Sequence, residues 1–187
     1  LGLQPADLLL RCHPNWGEKI GTQGGEYSER HYVDWAKRRG IHVIASTDNT
    51  STLGLIEQCD AIIVANGSAA LEAGTLGKQI ISIAPSIYQE AGFRDPAVQP
   101  HQLGALRLHA DLDEAELARR RESIPRLTLR FAYTMVHRVP QYTRYVRAET
   151  TTRFKYDMSA DPQRFIDLLR SGELRADDEE WADDLGA

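Results

Sequence analysis

The chain holds only two cysteines and two methionines, and aromatic residues make up just 7% of its 187 positions. Cys12 and Cys59 show neither Cys-x-x-Cys nor Cys/His spacing. A disulfide scaffold and a zinc site are therefore both excluded, and free, buried thiols in a reducing compartment are expected. No stretch approaches the ~20 consecutive apolar residues that a membrane span needs. No basic-then-apolar signal opens the chain, so a cytoplasmic placement is expected. No metal-binding motif is assigned, no cofactor is called for, and no internal repeat is found.

Positive charge is also scarce: the formal net charge is -5. Its distribution matters more than its sum. Residues 171–187 hold Glu173, Asp177, Asp178, Glu179, Glu180, Asp183 and Asp184 against the single base Arg175, which leaves the rest of the chain close to neutral. The acidity belongs to a tail, so neither a nucleic-acid partner nor an acidic substrate is indicated.

What remains is a chain that is 42% hydrophobic and long enough for one domain with a proper core plus appendages. Short apolar runs bounded by breakers predict strands at Asp7–Cys12, Ile41–Ala45, Ala61–Ala65 and Gln79–Ala84, with a weaker fifth at 105–108. Between them, helical spacing predicts Tyr27–Arg39, with Ser28 as N-cap and Gly40 as its stop, then Asp48–Gln58, then a helix from Ser68 through Leu76. The Gly-rich stretch Asn15–Glu26 reads as a loop. Strand and helix alternate with short connections, the pattern of an α/β fold with a doubly wound parallel sheet. Residues 1–112 are assigned to this domain. Residues 113–170 read as C-terminal helices, one over Asp113–Ser123, one over Leu127–Phe154 broken at Pro140, and one over Pro162–Leu169. Residues 171–187 read as a disordered acidic tail. The opening Leu1-Gly2-Leu3-Gln4-Pro5 lacks an initiator methionine, which suggests a fragment of a longer protein.

In parallel sheets, ligands sit at the carboxyl ends of strands, where loops converge and amides are unpaired. Two loops qualify. In Asn66-Gly67-Ser68-Ala69-Ala70-Leu71-Glu72, Gly67 permits close approach of a ligand. Amides of Ser68, Ala69 and Ala70 and the Ser68 hydroxyl suit a phosphate, and Glu72, one turn on, suits the hydroxyls of a ribose. The plainer alternative is that Ser68 caps a helix and Glu72 is a solvated first-turn acid. In Arg11-Cys12-His13-Pro14, His13 can donate to a phosphate leaving group, Pro14 fixes the turn and Arg11 can pair with phosphate. Here the alternatives are an ordinary loop histidine and an edge-strand arginine.

The series Leu8-Leu9-Leu10-Arg11-Cys12-His13-Pro14, Ser46-Thr47-Asp48, Cys59-Asp60-Ala61-Ile62-Ile63-Val64, Gly67-Ser68-Ala69-Ala70-Leu71-Glu72-Ala73 and Gly77-Lys78-Gln79-Ile80-Ile81 resembles the C-terminal half of capsule-polysaccharide-type glycosyltransferases. It is especially similar to the bacterial Kdo transferases of that group. Tyr88-Gln89-Glu90-Ala91-Gly92 looks like the family's Tyr-x-x-x-Gly loop. The likeness runs from about Leu8 to Phe93, and Ala69 departs from it by standing where many relatives have a second hydroxyl residue. The resemblance implies a Rossmann-like C-terminal GT-B domain and a nucleotide-sugar donor such as CMP-Kdo, with a polysaccharide or glycolipid acceptor. It also implies a separate N-terminal domain and peripheral membrane association of the full-length protein. No Asp-x-Asp-type metal motif is evident, so metal-independent transfer is expected, with His13 in the catalytic role. The helix expected over Leu127–Phe154 would then cross back to that first domain, the alternative being that Arg126, Arg130, Arg138, Arg144 and Arg147 form a solvated face. A UDP-sugar 2-epimerase-like enzyme and a non-catalytic nucleotide-sugar-binding domain are the competing expectations.

Overall fold

The structure, a computed structural model, describes residues 2–17, 19–20, 23–138, 146–148 and 153–156, together with 163, 166–167 and 170. The chain divides into two compact units, Leu1–Thr128 and Leu129–Ala187.

The first unit is mixed α/β. In chain order it contains β1 (Leu9–Arg11), β2 (Lys19–Ile20), β3 (Gln23–Gly24), α1 (Glu26–Lys37), β4 (His42–Ile44), α2 (Thr52–Gln58), β5 (Ala61–Val64), α3 (Ala69–Thr75), β6 (Gln79–Ser82), β7 (Asp95–Pro96), α4 (Pro100–Ala105) and the start of α5 (Glu114–Tyr133). The four predicted apolar runs are strands, and all pair in parallel. β1 lies beside β4, with Arg11 opposite Ile44. β5, β6 and β7 form a three-stranded sheet in that order. Between β1 and β4 the chain makes a small antiparallel hairpin, β2 with β3.

The core lies around β6, all four of whose residues are buried. Ile80 and Ile81 fill it together with Ala70, Ala73, Tyr88, Phe93 and Ile124. Gln79 is buried with its side chain fully used: Nε2 donates to Asp95 Oδ2 at 2.7 Å and to the Arg107 carbonyl at 2.8 Å, and Oε1 accepts from the His109 amide at 3.0 Å. Both Asp95 oxygens also accept from Arg120 Nη1, at 2.8 and 2.9 Å. The β7 edge is thereby tied to α5 by a partly buried ion pair. α3 lies on β5 and β6 and beside α2. Its Gly74 presses on α5 so closely that an added Cβ would stand 2.2 Å from Thr128 Oγ1.

Several expectations are corrected. Burial on both faces, expected for every strand, holds for β6 but not for β5, where Ile63 is 52% exposed, nor for β1, where Leu9 is exposed. The fifth strand is Asp95–Pro96 rather than 105–108: Pro96 is tolerated because β7 lies at a sheet edge, where a missing N–H costs no ladder bond. Ser28 does not cap α1. The cap position is Gly25, packed so tightly on the Trp16 backbone that a Cβ there would come within 2.4 Å of Trp16 Cα. Gly40, at φ +70, does end that helical region. The stretch read as a loop before α1 holds a short 3-10 turn, Pro14–Gly17, whose Trp16 stacks on Tyr32 of α1 at 5.4 Å.

In the second unit α5 ends at Tyr133 and passes into a π-helical turn, Thr134–Arg138. β8 (Val146–Ala148) and β9 (Phe154–Tyr156) then pair antiparallel. Among the described residues the helix expected over Leu127–Phe154 therefore holds as far as Arg138 and gives way to strand at Val146–Ala148 and at Phe154. The segment is rich in valine, threonine and aromatic residues, which favour a pleated strand over a helix. The break expected after Ser123 is corrected, since α5 runs through Pro125. Gln163, Ile166, Asp167 and Arg170 are helical, in accord with a helix over Pro162–Leu169. Pro140 and the acidic tail lie outside the described residues. Among the described residues no helix is long and apolar enough to cross a membrane.

Candidate functional site

The carboxyl end of β1 is organised by charge. Arg11 extends from the strand to the loop after β4, where Nη1 donates to the Ala45 carbonyl and Nη2 to the Asp48 carbonyl at 3.0 Å. Its guanidinium is thus engaged by backbone, in the role of a clamp between two strand ends rather than a free arm. Beside it, Glu29 of α1 accepts from the Ser46 amide at 2.8 Å and the Ser46 hydroxyl at 2.7 Å. Those two hydrogen bonds hold the Glu29 carboxyl below its ordinary range. Cys12 is fully buried, and burial, with Glu29 nearby, pushes its thiol up. This makes it a poor nucleophile.

His13 is exposed at the end of this clamp. Its Nδ1 accepts from the Asn15 amide at 3.1 Å, so a neutral ring carries its hydrogen on Nε2. Pro14 opens the 3-10 turn that holds this arrangement, and the Trp16 amide closes it on the His13 carbonyl at 2.9 Å.

The second loop follows β5. Asn66, Gly67 and Ser68 are exposed, and Gly67 adopts φ +138, a conformation that L side chains rarely take. A Cβ placed on Gly67 would meet nothing within 4 Å, so the turn faces open space. Ser68 stands at the cap position of α3 but already has helical angles and makes no side-chain cap. This corrects the simple capping reading. Its hydroxyl instead lies 3.2 Å from Glu72 Oε1, so the two candidate side chains act as a pair on one helix face. The Ala70 amide closes on the Gly67 carbonyl at 3.4 Å and the Leu71 and Glu72 amides on Ser68. The amides of Ser68 and Ala69 have no backbone acceptor among the described residues.

The structure brings one further segment to this turn. Tyr88, 1% exposed, packs against Phe93 with ring centroids 5.6 Å apart. Its hydroxyl lies with the Ser86 hydroxyl and the Gly67 amide, and burial raises its phenol above the ordinary value. The Tyr-x-x-x-Gly segment noted in the sequence therefore meets the Gly67 turn. Ser86 and Arg94, which flank it, escaped the sequence reading, because neither belongs to a recognisable motif. The hydrogen bonds around His13 and those around Ser68 form separate sets.

Among the described residues no group of three or more His, Cys, Asp or Glu side chains is placed to hold a metal ion. Contrary to the expectation that no Asp-x-Asp-type metal motif is present, Asp111-Leu112-Asp113 has that spacing. Here its carboxylates serve local backbone, Asp111 Oδ2 accepting from the Leu108 amide at 3.3 Å and Asp113 Oδ1 from the Glu116 amide at 2.8 Å. Compared with family models, with curated proteins and with solved structures, the chain finds no match in any of the three.

Proposed function

We propose that this chain is the donor-binding part of a GT-B-type glycosyltransferase, its first unit a doubly wound, Rossmann-like domain that takes a nucleotide-sugar. The observation that carries the reading is the Gly67 turn. It stands at the carboxyl end of a parallel strand and faces open space, with the Ser68–Glu72 pair on one side and the Tyr88 hydroxyl at its amide. Such a turn admits a phosphoryl group against backbone, while a neighbouring carboxylate accepts from ribose hydroxyls.

In the transfer itself the bond between the anomeric carbon and the phosphate oxygen breaks, and a bond to an acceptor hydroxyl oxygen forms. The departing phosphate takes up negative charge. Donors aimed at that charge stabilise it, which is commonly the largest single contribution to such catalysis. His13 Nε2 and the Gly67-Ser68 turn fill this role without a metal ion. The acceptor is a polysaccharide or glycolipid, and the reading assigns no general base to this chain. The resemblance of its motifs to Kdo transferases supports CMP-Kdo as donor and a role in capsule polysaccharide biosynthesis.

Thermal unfolding in the presence of CMP, UDP and CDP tests the reading. A ligand that binds only the folded form, supplied at about 100 times its Kd, stabilises it by about 2.7 kcal/mol. One nucleotide is expected to raise the midpoint, and Ser68→Ala and Glu72→Gln are each expected to weaken that nucleotide by about tenfold, the loss of one hydrogen bond to a charged group. A midpoint unmoved by all three nucleotides at millimolar concentration sinks the proposal. Turnover of a UDP-sugar without acceptor would identify an epimerase instead.

A further inference from the structure

Arg94 follows Phe93 in the segment joining β6 to β7. Its guanidinium is fixed by one hydrogen bond, from Nη2 to the Gln89 carbonyl at 3.1 Å. Nε and Nη1 are shielded from solvent and have no acceptor among the described residues. A guanidinium offers five N–H donors and keeps its charge throughout the pH range in which proteins fold. Shielded N–H donors without acceptors are costly, and a charged one more so. The neighbouring carboxylate does not relieve them, because both Asp95 oxygens are directed to Gln79 and Arg120.

The groups around Arg94 have the same character. The Tyr88 hydroxyl, close enough to feel the Arg94 charge, lies with the Ser86 hydroxyl and the Gly67 amide. Hydroxyls and a guanidinium can both donate, and Arg94 makes no ion pair among the described residues. Donors gathered beside a permanent cation complement an oxyanion.

We propose that Arg94 is an anion-binding residue, its Nε and Nη1 donating to an oxyanion of the ligand seated at the Gly67 turn. The inference rests on the donor-binding reading for the ligand's identity. Two parts of a nucleotide-sugar offer the required group: the phosphate that links nucleotide to sugar and the carboxylate of an acidic sugar.

The test uses the whole 187-residue chain, labelled with ¹⁵N. The Arg94 Nε–H resonance is assigned through bonds from its own backbone, so that no variant is needed to identify it. Inorganic phosphate, acetate and CMP are titrated separately. A saturable shift of Arg94 Nε–H with phosphate and CMP assigns the nucleotide phosphate; a saturable shift with acetate but not phosphate assigns the sugar carboxylate. No shift with either anion at tens of millimolar overturns the proposal. Arg94→Lys, which keeps the charge but loses the planar donor set, is expected to weaken the effective anion about tenfold, and unchanged affinity in a folded Arg94→Lys chain likewise overturns it. The two readings fail separately. Anion binding at Arg94 in a chain that binds no nucleotide sinks the transferase reading alone, while nucleotide binding with a silent Arg94 sinks this inference alone.

Discussion

Glu29 shows how one side chain can set a loop. Its two oxygens take the amide and the hydroxyl of Ser46, and the Ser46 loop is the same one that Arg11 clamps through the Ala45 and Asp48 carbonyls. Hydrogen bonds to a charged acceptor contribute about 1.5–3 kcal/mol when well shielded and less near solvent. Glu29→Gln is therefore expected to cost about 1–2 kcal/mol at pH 7, measured by urea denaturation. The carboxyl is held below its ordinary 4.5, so its contribution is present above that pH and lost as pH falls through the lower, folded value. The gap between parent and variant should close in acid. An equal gap at pH 7 and pH 3 would mean that the Ser46 contact is not electrostatic. At this scale the sequence was partly legible. Ser68, Glu72 and His13 could be put forward from residue type and position, and Tyr88 from the family resemblance alone, whereas Arg94 could not. What sets Arg94 apart among the described residues is that two of its nitrogens, Nε and Nη1, are shielded without an acceptor, where Arg11 leaves only Nε so, and that depends on the folded surroundings.

At the scale of elements, the contact between α3 and α5 is decided by the absence of a side chain. Gly74 faces Thr128, whose hydroxyl donates to the Ile124 carbonyl at 2.8 Å and so cannot swing aside freely. Gly74→Ala forces overpacking, which costs typically about 1–3 kcal/mol. In a Thr128→Ala background the same change should cost much less, with a coupling of about 1 kcal/mol or more. A double-mutant cycle by chemical denaturation checks this, and additive costs would show that α3 and α5 relax independently. The elements that could be read in advance were the strands with apolar runs, β1, β4, β5 and β6, and the helices α1, α2 and α3 between them. The hairpins were not legible for different reasons. β2 and β3 have two residues each in a Gly-rich stretch, too short for any period to show. β8 and β9 lie in a stretch whose arginines and tyrosines mimic helical spacing, and there β propensity and pairing prevail.

The molecule as a whole gathers its buried titratable groups into a defined pH window. His109 is held below its ordinary 6.5 by burial and by the Arg120 charge. It stays neutral in the fold while the unfolded chain takes up a proton, so stability is lost as pH falls below about 6.5. Cys12 and Cys59 are raised above 9.0 and Tyr88 above 10.0, each chiefly by burial. They stay protonated in the fold while the unfolded chain ionises, so stability is lost as pH rises beyond about 9. The thermal midpoint is expected to be flat between about pH 7 and pH 9 and to fall on both sides. His109→Gln should flatten the upper part of the acid limb, and an acid limb unchanged in that variant would assign it to the carboxylates alone.

The two parallel ladders divide the labour of the proposed site. His13 is fixed to β1 and β4, while the Gly67 turn, Tyr88 and Arg94 belong to β5 and β6 and the segments leaving them. The share of hydrogen-bond donation that His13 makes to the departing phosphate would then sit on a different support from recognition of the ligand. Change confined to the first ladder would alter kcat with Kd for the nucleotide preserved, and change confined to the second would alter Kd first.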